Sequence, residues 1–165
     1  MKTIRDLNAP PHVEGRVEAI IVRAGSREPA RRSEATVALA GIGLADDRLG
    51  RRGEPELTTR QVTLIQHEHL GLIAQLARVG AVDPAALRRN LVISGINLLA
   101  VYKTARLQVG EAVLELVGPC QPCSRMEEAI GPGGYAAMRG HGGLTARVLV
   151  GGGIRVGDGV RVEGG

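Results

Sequence analysis

The sequence predicts a mostly β, barrel-like fold carrying a few helices. Short apolar runs recur between glycine-rich turns, most plainly at the end, where 146–150, 154–156 and 160–162 are separated by Gly151-Gly152-Gly153 and Gly157-Asp158-Gly159. Residues 105–109 and 112–117 flank Gly110-Glu111 as a hairpin would. With no Trp, no Phe and two Tyr, the core must be assembled from Val, Leu, Ile and Ala. The 165 residues, 44% hydrophobic and 23% charged, are enough for one soluble domain with a real core. No domain boundary, repeat or low-complexity linker interrupts them. Residues 1–14, polar and proline-broken, are expected to be a flexible lead-in, and 15–165 one domain.

Taken in order, residues 15–23 form a first strand and 35–39 a second, with a basic loop carrying Arg27, Arg31 and Arg32 between them. Residues 41–59 make a long connection with four glycines and Arg48, Arg51 and Arg52; a loop of that length is usually functional. Residues 61–65 are strand-like and run into a helix at 66–78, whose Leu70, Ile73, Ala74 and Ala77 share one face. His67 and His69 point to different sides of that helix, which argues against a joint metal site and leaves them as exposed helix-start histidines. Asp83-Pro84 opens another short helix that ends at Arg88-Arg89-Asn90, before a strand at 91–93. Helices are expected at 124–130, with Ser124 able to cap, and at 135–139.

Charge and composition exclude some classes of function. Near-absence of aromatics removes the stacking platforms that single-stranded nucleic acids need. The net charge of +4, with Arg far outnumbering Lys, suits an anionic ligand, although GC-rich coding would enrich Arg as well. No apolar run has signal-peptide or membrane-span length, so a cytoplasmic protein with no membrane partner is expected. Two cysteines in a reducing compartment point to chemistry rather than a permanent disulfide.

That chemistry centres on Gly118-Pro119-Cys120-Gln121-Pro122-Cys123-Ser124-Arg125. A thiol before a helix, with Arg125 close by, is placed to act as a thiolate, the form that attacks electrophiles and binds soft metals. Three readings are open. A dithiol redox pair lacks the βαβ setting it usually has. A zinc site finds only Cys120, Cys123 and His141. A single thiolate acting as soft ligand or nucleophile, with basic residues completing an anion site, fits best. Arg88, Arg89 and Asn90 could hold a phosphate or merely end a helix; Asp47-Arg48 could be a surface ion pair; His141, between glycines, could be an acid/base or a loop residue. Gly151-Gly152-Gly153 lacks the lysine of a phosphate loop and suits a plain turn.

In this order, several segments resemble the MOSC family, named after the C-terminal domain of molybdenum cofactor sulfurases. They are Gly41-Ile42-Gly43-Leu44-Ala45-Asp46-Asp47-Arg48, Gln61-Val62-Thr63-Leu64-Ile65, Arg88-Arg89-Asn90-Leu91-Val92-Ile93-Ser94-Gly95-Ile96, Gly110-Glu111-Ala112-Val113-Leu114-Glu115, Pro119-Cys120-Gln121-Pro122-Cys123-Ser124-Arg125-Met126-Glu127, and a close running from Gly142-Gly143 to Gly157-Asp158-Gly159-Val160. The resemblance implies a β-barrel and binding of molybdenum cofactor, with Cys123 as metal ligand or sulfur carrier. It assigns cofactor contacts to Asp47, Arg48, Arg89 and Asn90; Arg88, Arg125 and His141 join them on their charge or hydrogen-bonding capacity. The family's Gly-Asp-Arg-His loop appears here with Asp46 for the glycine and Leu49 for the histidine. Within the family the implied chemistry is reduction of a small N-hydroxylated substrate, fed by a separate electron-donor protein. The alternatives are a cofactor carrier or sulfur-delivery module, and a dithiol redox protein without cofactor.

Overall fold

The computed structural model describes residues 1–7, 14–55, 59–101 and 105–163, so part of the expected lead-in, 8–13, lies outside the described residues. Its centre is a closed barrel. In chain order the strands are β1 (Gly15–Val22), β2 (Arg31–Ser33), β3 (Ala35–Leu39), β4 (Gly43–Leu44), β5 (Val62–Gln66), β6 (Leu91–Ser94), β7 (Arg106–Val109), β8 (Ala112–Pro119), β9 (Leu144–Val150), β10 (Gly152–Arg155) and β11 (Gly159–Glu163). Seven of them ring the barrel in the order β11-β7-β8-β9-β5-β6-β1, and β1 pairs back to β11. Strand directions cannot alternate all the way around an odd-numbered ring. Among the described strands the one parallel contact is β5–β6, and helix α3 (His67–Ala77) lies in the crossover between them.

Alternation along the strands supplies two cores. Inward residues, among them Leu64, Leu91, Ile93, Leu107, Leu114, Leu144 and Val160, fill the lumen. Outward Ile65 and Val92 meet Ile73 and Ala77 of α3 and Met126, Ala137 and Met138 from the later helices. Strand β1 serves both because its register shifts between Val17 and Ala19. That bulge sends Val17, Ile20 and Val22 into the lumen and leaves Ala19 and Ile21 under α3. Each fully buried Leu or Ile contributes about 1.5–3 kcal/mol, which is how a core without Phe or Trp suffices. A small sheet, β10-β3-β4, adds Ala38, Leu44 and Ile154 to the lumen cluster.

Several sequence expectations are corrected. Arg31–Ser33, expected in a loop, is an edge strand on β1. The long connection contains β4 and helix α2 (Arg48–Arg52); its residues 56–58 lie outside the described residues. Residues 84–88 are consecutive turns rather than a helix, closed by bonds such as Leu87 N–H to Pro84 O and Arg88 N–H to Ala85 O. Arg88 ends them with φ of 58°, so the helix dipole invoked for these arginines is absent. Gly152 and Gly153 are strand residues paired with Ala38 and Val37. Two short helices, α1 (Ile4–Leu7) before the barrel and α4 (Leu98–Val101) after β6, were not expected.

Gly143, just before β9, has φ of 93°, and a Cβ there would overlap the carbonyl oxygen of Leu64 in β5. Backbone on both sides leaves no room to relax. Gly143→Ala is therefore expected to destabilise the protein by at least about 3 kcal/mol, read as a lowered urea midpoint.

Candidate functional site

Strand β8 delivers Cys120 and Cys123 to an irregular loop ahead of helix α5 (Arg125–Ile130). Both are free thiols, Cys120 half-buried and Cys123 exposed. Ser124 does not cap: it is itself helical and makes no side-chain capping bond. What holds the following segment is Glu127, whose carboxylate accepts from the N–H groups of Gly133 (2.6 Å) and Tyr135 (3.0 Å) at the start of helix α6 (Gly134–Met138). Those bonds, from Tyr135 first and Gly133 second, hold the Glu127 carboxyl below its ordinary pKa.

Arg89 grips the cysteine loop from behind. It is only 6% exposed, and its guanidinium donates to the carbonyls of Gly142 (2.6 Å), Leu87 (2.9 Å), Cys120 (3.3 Å) and Gln121 (3.5 Å). The Cys120 N–H bonds the Gly143 carbonyl at 2.8 Å, completing the attachment. Burial pushes the guanidinium below its ordinary pKa, and the negative forms of Cys120 and Cys123 oppose that shift. Each of these bonds of Arg89 ends on a carbonyl, so its charge is desolvated without a carboxylate among them.

Asn90 is used differently. Its Oδ1 accepts from the Thr63 N–H and hydroxyl (3.0 Å each) and its Nδ2 donates to the Ile21 carbonyl (3.1 Å). It stitches β1 to β5 just before β6 begins. Gln61 does the same elsewhere, donating to Gly41 O (3.0 Å) and accepting from Val148 N–H (2.9 Å), which anchors the 41–49 loop over the barrel.

That anchoring shapes a cleft of about 150 Å³ lined by Arg23, Asp47, Arg48, Arg60, Arg88 and Asn90, with Gln61 and Thr63 at its wall. Among the described residues, four arginines and one carboxylate line it. Asp47 accepts from the Arg23 N–H at 2.7 Å. Its carboxyl sits above the ordinary aspartate value because it is desolvated, an effect that Asn90, the Arg48 N–H and the Arg48 charge oppose. Leu49, standing where the resemblance expects histidine, is buried at 8% exposure, and Asp46 accepts from the Thr36 hydroxyl at 3.4 Å.

The structure thus brings Asp47, Arg48, Arg88 and Asn90 together, and hangs the cysteine loop on Arg89, the residue between the last two. It leaves Arg125 exposed in the first turn of α5, apart from the cleft-lining set. His141 also does not line the cleft. Its ring meets His69 edge-on at 5.3 Å, so His69 is a half-buried partner rather than an exposed histidine, and the His141 Nδ1 is buried without a hydrogen-bond partner among the described residues. Among the described residues no group of three or more His, Cys, Asp or Glu is arranged to hold a metal. Arg23, Arg60 and Thr63 were not anticipated as site residues: Arg23 follows β1 and Arg60 precedes β5 without a local motif, and Thr63 lies in a segment to which the resemblance gave no role. A larger groove of about 530 Å³ between α3 and residues 79–84 contains neither thiol and mixes Glu18, Arg32 and His67 over an apolar floor, so it lacks the chemistry of the arginine cleft.

Burial first, and the His141 charge second, lower the pKa of His69, with Glu68 opposing. A base whose folded pKa is depressed contributes stability that is complete above its unfolded value, ordinarily about 6.5, and is lost as pH falls through the folded value. His69→Gln should remove part of the acid loss seen between urea midpoints at about pH 7.5 and about pH 5.5.

The family model described as MOSC domain matches residues 43–161. Among solved structures, the YuaD protein from Bacillus subtilis superposes with a TM-score of 0.79 at 17% identity, over 92% of this chain and 97% of that one. YiiM from Geobacillus stearothermophilus gives 0.71 at 17% identity, covering 90% and 75%. YiiM from Escherichia coli gives 0.63 at 18% identity, covering 90% and 69%. At these identities the likeness is one of fold. No curated protein matches the chain.

Proposed function

Because the chain belongs to the MOSC domain family, we propose that it binds molybdenum cofactor, takes Cys123 as the metal's protein ligand, and reduces small N-hydroxylated substrates with electrons from a separate donor protein. The observation that carries this reading is the pairing of an arginine cleft with an accessible thiol through one three-residue segment, Arg88-Arg89-Asn90. Arg88 lines the cleft, Arg89 holds the cysteine loop and Asn90 fixes the segment to the barrel.

The residues present fit the group. A phosphate tail needs fixed cations, and Arg48 and Arg88 supply them, with Arg23 and Arg60 beside them; Arg matches phosphate oxygens bidentately. A soft metal needs a thiolate that solvent and substrate can reach, and Cys123 is the exposed one of the pair. When bound, the cofactor would supply two-electron redox chemistry at the substrate's N–O group. The chain's own part is to bind and orient. Asp47 keeps the Arg23 backbone at the cleft wall, Arg89 holds the cysteine loop, and Arg125 adds positive charge two residues from Cys123.

The test is turnover of hydroxylamine by the loaded protein with a reconstituted reductase as electron source. Steady ammonia formation supports the enzyme. Full loading with no turnover across several competent donors would instead mark a cofactor carrier or sulfur-delivery module.

A further inference from the structure

We propose that Cys120 and Cys123 together form a two-coordinate site for a soft monovalent cation of the copper(I) type, with Arg89 balancing the charge of the complex. The cofactor reading uses only Cys123 and gives the second thiol no task. Both thiols are free, three positions apart, on a loop outside the regular elements. Each follows a proline, whose fixed φ restricts the loop before any ligand arrives. The main chain at Cys120 is held twice, by its N–H to Gly143 O and by its carbonyl from Arg89.

The number of ligands selects the ion. Zinc needs four donors, and no third His, Cys, Asp or Glu stands with these thiols among the described residues. A d¹⁰ monovalent ion is satisfied by two thiolates, the softest ligands a protein offers. The charges agree as well. Two thiols lose two protons and bind one M⁺, with no electron transferred, so the bound complex carries one negative charge. Arg89 carries one positive charge, is buried, and among the described residues donates its hydrogen bonds to carbonyls. A buried cation without a carboxylate partner is stabilised by an anion beside it. The exposure of Cys123 leaves the ion a way in.

This proposal does not depend on molybdenum cofactor, but it shares Cys123 with it, so the two loads exclude one another. The experiment uses full-length protein made in a host unable to synthesise the cofactor, titrated with Cu(I) in competition with bicinchoninate. One copper per chain is expected, with two sulfur neighbours by X-ray absorption. Cys120→Ser and Cys123→Ser should each weaken binding by at least about a hundredfold, since one thiolate alone cannot complete the ion's coordination. Arg89→Gln should weaken it by about tenfold, one screened charge interaction, with Arg89→Lys restoring part of the loss. If bicinchoninate keeps the copper, or if Cys120→Ser binds as tightly as wild type, the site does not exist. The cysteine variants lie on an accessible loop and decide the matter even if an Arg89 variant fails to fold. Because only Cys123 is shared, loss of Cu(I) binding in Cys120→Ser, beside normal molybdenum loading of the same variant when it is purified from a cofactor-producing host, separates this proposal from the functional reading.

Discussion

Cys123→Ser is expected to abolish reduction of N-hydroxylated substrate, by at least about a thousandfold in kcat/KM, because a hydroxyl is neither soft nor ionised at neutral pH and cannot replace a thiolate at the metal. Cys120→Ser should cost no more than several-fold in the same assay. The asymmetry follows from position. Cys123 is the exposed thiol, whereas Cys120 is half-buried and acts on the loop through its main chain. Equal losses from the two substitutions would favour a dithiol redox protein. The assay is steady-state turnover with a fixed reductase and matched metal content.

Arg89→Met is the second large effect. It removes the donor to the carbonyls of Leu87, Gly142, Cys120 and Gln121 at once. Leaving buried acceptors unpaired costs about 1–3 kcal/mol each, and those near the surface recover water, so a total of roughly 3–5 kcal/mol is expected. That is a large share of the stability of about 5–15 kcal/mol typical of a natural domain. Urea unfolding of wild type, Arg89→Met and Arg89→Lys measures it. Lysine retains the charge but reaches fewer carbonyls, so it should fall between the other two. A methionine variant as stable as wild type would mean that the loop does not hang on this side chain.

Much of the barrel was legible because its signals are local. The β7–β8 hairpin announces itself by Gly110-Glu111, α3 by the spacing of Ile73, Ala74 and Ala77, and the last strands by their glycine turns. What escaped depends on distant partners. Arg31–Ser33 is a strand only because β1 offers an edge to it. Gly152 and Gly153 look like a turn until β3 pairs with them. Residues 84–88 carry a helix-start signature, yet the turns end with Arg88 in a left-handed conformation, which leads directly into Arg89 and the Asn90 stitch between β1 and β5.

The candidate site divides in the same way. Residue chemistry pointed to Arg88, Arg89, Asn90 and the pair of thiols, and the family resemblance to Asp47, Arg48 and Cys123, but neither pointed to the different placements of Arg88, Arg89 and Asn90. Consecutive side chains leave the backbone in different directions, so one enters the cleft, one turns under the cysteine loop and one bridges two strands. The His69–His141 contact joins residues 72 positions apart and has no trace in either local sequence.

The measurement that tests the central claim most directly is molybdenum by elemental analysis, with oxidised-pterin fluorescence, on wild type and Cys123→Ala purified from a cofactor-producing host. The account predicts close to one molybdenum and one pterin per wild-type chain, and loss of the metal in the variant. Absence of pterin from both proteins would contradict it.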